Sequence, residues 1–215
     1  MTDAVLREKL RPNYTPACKR LVISHNFYDA IQLPQSELVT EGIERIEAGG
    51  IRTTDGELHE LDVIVCATGF HVDAFVRPMC VKGKDGVLLD DVWADRPSAY
   101  MSVGIPGFPN FFMVNGPNSP VGNFSLIRTA ELQFAYLMRL VDHVASLGHR
   151  SAMPSAEAAA RFEQERTEAA AGTVWATGCK SWYLDDRGIP FVWPFSFPRF
   201  AEEMEKPRYE DYSFA

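Results

Sequence analysis

At 215 residues, the chain is long enough for one large or two small domains and a substantial core. Its 46% hydrophobic and 23% charged residues are the composition of a globular protein. A net charge of −8 without an evident basic face argues against nucleic-acid binding.

The apolar runs are too short to span a bilayer, and residues 1–14 lack a signal-peptide core. Four cysteines (Cys18, Cys66, Cys80, Cys179) show no C-x-x-C pairing. Reduced thiols in a cytoplasm are therefore expected, rather than a zinc or disulfide framework.

The predicted elements begin with a short strand over residues 19–24 and a brief helix over 27–31, capped by Asn26. Segments 37–40, 43–46, 50–53 and 58–66 follow, broken by Ala48-Gly49-Gly50 and Thr54-Asp55-Gly56. That punctuation predicts an antiparallel meander. It feeds residues 61–70, LDVIVCATGF, in which Val63, Ile64, Val65 and Cys66 have the pattern of a strand covered on both faces. Ala67, Thr68 and Gly69 then supply small side chains where a chain can bend and approach a ligand closely.

Residues 72–95 read as loop-rich, and a second strand is expected at 111–114 before a glycine–proline loop. A long helix spans about 124–147, with Phe124, Ile127, Phe134, Leu137, Val141 and Val144 as its apolar stripe. Another helix is predicted over 156–171, from an N-cap at Ser155 to a stop at Gly172. The tail from 178 onward is rich in aromatics and proline, so packing rather than regular structure should order it.

Residues 113–123, MVNGPNSPVGN, run from a strand through a polar loop into the long helix. The first N–H groups of a helix lack intrahelical partners and carry partial positive charge, which makes this an anion-ready place. Without more, it is also an ordinary connection capped by Asn123. Lys19 and Arg20 form a basic pair, and Trp182 offers a flat face with one N–H donor. The five histidines do not fall at metal-ligand spacing, so no metal site is expected. No G-x-S-x-G elbow marks a hydrolase.

Four segments together resemble the flavin-containing and Baeyer–Villiger monooxygenases. They are ATGF at 67–70, G-P-x-S-P at 116–120, K-R-L-V at 19–22 with Phe27-Tyr28 after it, and S-W-Y at 181–183. The resemblance implies an α/β fold: an incomplete two-dinucleotide-binding-domain flavoprotein with long helices. Residues 15–66 would be the C-terminal part of the NADPH-binding domain, and 67–215 that of the FAD-binding domain. It also implies NADPH- and O2-dependent oxidation of a ketone to an ester or lactone through a flavin C4a-peroxide. By the same resemblance Arg20 is the catalytic cation, while Lys19 and Trp182 position NADP. Thr68, Gly69, Gly116, Pro117, Asn118, Ser119 and Asn123 would pass close to the flavin.

N- or S-oxygenation of a heteroatom substrate is the alternative chemistry. A noncatalytic remnant or interaction module is the alternative role. The sequence contains no G-x-G-x-x-G, although the family carries two such fingerprints. Asn118 stands where relatives often have glycine, and Ser125 where they often have asparagine. With the partner strands of both domains missing, exposed strand edges are expected. The chain should be poorly soluble or need a partner, either a separate chain carrying the missing N-terminal domains or another copy of itself.

Overall fold

The structure, a computed structural model, describes residues 3–122, 124–178 and 180–215. One compact unit comprises the residues up to Asn13 together with Val22–Phe70. The other comprises Tyr14–Leu21 and His71–Ala215.

In the first unit, helix α1 (Ala4–Lys9) starts where the Asp3 carboxylate accepts the Val5 and Leu6 amides at 2.8 and 3.0 Å. Helix α2 (Phe27–Ala30) is one turn, and Asn26 precedes it without a side-chain cap bond. Strands β1 (Ile43–Glu47), β2 (Gly50–Thr53) and β3 (Leu58–Glu60) form the predicted antiparallel meander. The Asp55-Gly56 turn joins β2 to β3, with Thr53 Oγ1 donating to Asp55 at 2.6 Å. Arg52 on β2 binds Glu47 on β1 at 2.6 Å.

The ladder ends at Glu60, which corrects the expectation of a buried strand through residue 66. Val63, Val65 and Phe70 are 74, 83 and 96% exposed, and no strand among the described residues pairs with them. Residues 19–24 and 37–40 are not strands either, and Ile23 is 98% exposed. A continuous apolar run becomes a strand only when neighbours satisfy its backbone and layers cover both faces. Here neither condition is met.

The second unit is built on two long helices, preceded by the single turn α3 (Leu89–Val92). Ser125 caps α4 (Leu126–Ser146), and Ser155 caps α5 (Ala156–Ala170), each accepting the amide three residues on. Strand β4 (Ala152–Pro154) lies between them and pairs antiparallel with the terminal β5 (Tyr212–Phe214). Helix α6 (Phe197–Glu203), capped by Ser196, adds regular structure to a tail expected to hold by packing alone. Residues 111–114 make only a single bridge, Phe112 to Gly104, instead of the expected strand.

The core joins Tyr100, Tyr136, Leu140, Phe162, Trp193, Phe200 and Tyr212. On α4 the buried residues are Thr129, Gln133, Tyr136, Leu137 and Leu140. This corrects the predicted stripe, which shares only Leu137 with that list. Ile127, Phe134 and Val141 are 76, 60 and 48% exposed. Polar Gln133 faces inward because the loop at Asn115 and Ser119 hydrogen-bonds to it, and Thr129 donates back to the Ser125 carbonyl; that leaves an apolar stripe outside. Among the described residues, no helix is long and apolar enough to cross a membrane.

Candidate functional site

The loop before α4 is fastened from within. Met101 and Ser102 both take positive φ, and Gly116 packs on this turn so closely that a Cβ would lie 2.6 Å from the Ser102 carbonyl oxygen. Gln133 of α4 reaches back to the loop twice. Its Oε1 accepts the Asn115 amide at 2.7 Å, and its Nε2 donates to Ser119 Oγ at 3.1 Å. Asn118, at φ 71°, accepts the Ala99 amide at 3.3 Å. The side chains of Asn118 and Ser119 therefore point into the protein, and Gly116 and Pro117 are buried with them. The loop presents to any ligand its exit, Val121 and Gly122. Asn123 lies outside the described residues.

A second arm is zipped onto this loop. The Asn118 amide donates to the Phe191 carbonyl at 2.8 Å, and the Trp193 amide donates to the Ser119 carbonyl at 3.1 Å. Phe191 in turn donates to the Tyr183 carbonyl at 2.7 Å, closing a hairpin over residues 183–191. Its turn is organised by Asp185, which accepts the Ile189 and Arg187 amides at 2.8 and 3.0 Å. Burial alone would raise the Asp185 carboxyl, but these amides and the Arg187 and Arg96 guanidinium groups hold it below the usual range.

Arg166 of α5 donates to the Pro190 carbonyl at 2.5 Å and pairs with Glu163 at 2.9 Å. Arg96 bridges Glu163 and Asp185. Burial presses both guanidinium values down to about 10, so both stay charged at neutral pH. This bracing network was not anticipated from the sequence. Asp185-Asp186-Arg187-Gly188 is a turn signal that marks one end of it.

Residues 14–21 bring the basic pair to the same place. Cys18 is fully buried and disulfide-bonded, which corrects the expectation of reduced thiols throughout; Cys66 and Cys80 are free and exposed. Spacing along a chain does not report which residues meet in space. Lys19 Nζ sits 4.5 Å over the Tyr14 ring, and Thr177 Oγ1 donates to Thr15 Oγ1 at 3.3 Å. Arg20 is exposed and makes no ion pair among the described residues.

Arg20, Lys19, Gly122, Phe124, Trp175 and Tyr183 share one cavity of about 210 Å3. Burial raises the Tyr183 hydroxyl and the Arg20 charge opposes that rise, so the two groups feel each other across this space. The Trp182 ring lies tilted against Tyr183, centroids 3.9 Å apart, but lines a different cavity of about 510 Å3 with Arg96 and Asp185. Thr68 and Gly69 belong to the first unit, where both are exposed, Gly69 at φ 90°.

No protein-family model matches the chain. A monooxygenase of Mycobacterium tuberculosis without assigned substrate is 48% identical over 210 residues, covering 98% of this chain and 42% of that protein. A Baeyer–Villiger monooxygenase of Streptomyces coelicolor is 37% identical over 213 residues, covering 98% and 41%. Among solved structures, OTEMO in complex with FAD and NADP matches with a TM-score of 0.87 at 27% identity, covering all of this chain and 42% of that one. Cyclohexanone monooxygenase from Rhodococcus sp. Phi1 bound to NADP+ matches with a TM-score of 0.85 at 29% identity, covering 100% and 42%. The chain matches part of the Baeyer–Villiger-type flavin monooxygenases. It carries a portion of their two-dinucleotide-domain α/β fold and spans about two-fifths of the length of the relatives it matches.

Proposed function

We propose that the chain supplies the Arg20 face of an NADPH- and O2-dependent flavin monooxygenase that converts a ketone to an ester or lactone. One observation carries this reading. Arg20 and the loop entering α4 line a single cavity whose walls include no carboxylate. Arg20 and Lys19 give it positive charge. Such a donor set fits an acceptor-rich ring edge and a carbonyl oxygen. It disfavours a protonated amine, so the ketone reaction is favoured over N-oxygenation.

FAD, when bound, supplies the activation of oxygen. Arg20 would donate to oxygen atoms on which negative charge grows. Lys19 and Trp182 would hold NADPH, the first as a point charge for phosphate and the second through its ring face and N–H. Gly116, Pro117, Asn118 and Ser119 would fix the loop backbone. Asn123, Thr68 and Gly69 are the further flavin contacts that the family resemblance implies. The pyrophosphates of both dinucleotides fall to G-x-G-x-x-G segments outside this sequence. A chain carrying those segments is the proposed partner, and the cytoplasm the proposed setting.

The test is to combine the chain with a polypeptide bearing the two glycine fingerprints, then add FAD, NADPH and a cyclic ketone. Retained flavin absorbance and ester detected by mass spectrometry support the reading. Arg20→Ala should lower ester formation by about 10²- to 10³-fold. No retained flavin at millimolar FAD would assign the chain to a noncatalytic role.

A further inference from the structure

The Arg20 cavity contains two polar groups that its packing leaves unsatisfied. Tyr183 is 2% exposed, and its hydroxyl has no hydrogen-bond partner among the described residues. The Trp175 indole N–H is likewise buried and unpartnered. Both rings line the cavity and meet edge to face, with centroids 5.8 Å apart. A buried donor without a partner costs more than a typical hydrogen bond returns, so native proteins leave few of them unexplained.

Gly122 keeps the space around the hydroxyl open. A Cβ there would stand 2.9 Å from Tyr183 Oη, and the residue's φ of 86° already disfavours any side chain. The cavity thus has room at the very atom that lacks a partner.

The donor inventory states what belongs there. An indole N–H only donates, a guanidinium only donates, and a buried phenol without an acceptor donates as well. The Lys19 ammonium, also in the lining, only donates too, and Phe124, Val174, Trp193 and Phe195 add apolar wall. The complement is an oxygen acceptor carried on a small apolar ring.

We propose that the Tyr183 hydroxyl and the Trp175 indole N–H bind the carbonyl oxygen of a cyclic ketone that enters this cavity beside Arg20. The assignment rests on the ketone reading above and names two binding residues for it. The ketone's ring packs on the apolar walls, and its oxygen satisfies both orphan donors.

The experiment is a two-dimensional ¹H–¹⁵N titration of the full chain with cyclohexanone, following the indole signals. Trp175→Phe identifies its resonance by the signal that disappears. Cyclohexanone should move the Trp175 indole resonance downfield to saturation. Methylenecyclohexane, of the same shape but without the oxygen, should not. Tyr183→Phe should weaken the ketone by roughly five- to tenfold, the net worth of one buried hydrogen bond. If Tyr183→Phe loses the dispersed spectrum of a folded chain, the wild-type comparison of the two probes decides alone. An unmoved Trp175 signal, or equal binding of both probes, overturns the assignment. Flavin retention is scored separately after the polypeptide bearing the two glycine fingerprints is added. Ketone binding without flavin removes the oxygenase reading and leaves this site standing; flavin without a Trp175 response does the reverse.

Discussion

Asn118 and Phe191 meet twice. The Asn118 backbone amide and its side-chain Nδ2 both donate to the Phe191 carbonyl, at 2.8 and 3.3 Å. Through that oxygen the loop entering α4 and the hairpin carrying Tyr183 become one rigid wall of the Arg20 cavity.

Asn118→Ala should therefore destabilise the second unit by about 1–3 kcal/mol. It leaves the buried Ala99 amide unpaired and places alanine at a left-handed position. Asn118→Gly loses the same side-chain bonds without that backbone cost, so its loss should be smaller. Chemical denaturation of the two variants checks the order. Equal stability of all three proteins would show that these bonds do not hold the wall.

Asp185 sets a pH dependence whose sign follows from its surroundings. Its carboxyl is held below the ordinary value, so the folded hairpin binds fewer protons than the unfolded one. The stabilisation is complete above the unfolded value of about 3.9 and is lost as pH falls through the lower, folded value. Melting temperature should drop steeply below about pH 4. Asp185→Asn should cost about 1.5–3 kcal/mol at neutral pH and flatten that acid limb. Thermal unfolding from pH 7 to 2 measures both.

The sequence exposes what is local and hides what depends on neighbours. Ser125 and Ser155 start the long helices because a side-chain oxygen can meet an amide three residues on, a signal contained in a few adjacent residues. The Asp55-Gly56 hairpin is legible for the same reason. Val63 and Val65 read as core because apolar runs usually are, yet burial requires flanking strands, and none pairs with them among the described residues. The α4 stripe lies elsewhere because Gln133 looks like a surface residue until the loop it holds is known. Arg20 stood out through its motif. Asp185, Arg96 and Arg166 did not, because their network joins segments far apart in sequence.

The bare apolar segments should behave as an unfilled interface. Val65 is 83% exposed, so Val65→Lys should change the stability of the isolated chain by less than about 0.5 kcal/mol. The same change should abolish association with a polypeptide carrying the missing glycine fingerprints, measured by size-exclusion chromatography. Wild-type chain alone should bind an apolar dye and aggregate. A monomer with one cooperative thermal transition and no dye binding would contradict this.

Gly122→Ala probes the cavity without touching Arg20. The added methyl group meets Tyr183 Oη at 2.9 Å and takes a φ that side chains resist. It should cost about 1–2 kcal/mol of stability and weaken any ligand held beside Tyr183. Denaturation and the ketone titration report the two effects independently.

The most direct measurement is a titration of the chain with FAD, alone and with the complementing polypeptide, following the Arg20 Nε–H and Gly122 amide resonances together. Both signals should move with the same dissociation constant, and Arg20→Ala should remove the response at Gly122. Saturation of flavin absorbance with either resonance unmoved would contradict the account, because the ring would then lie elsewhere.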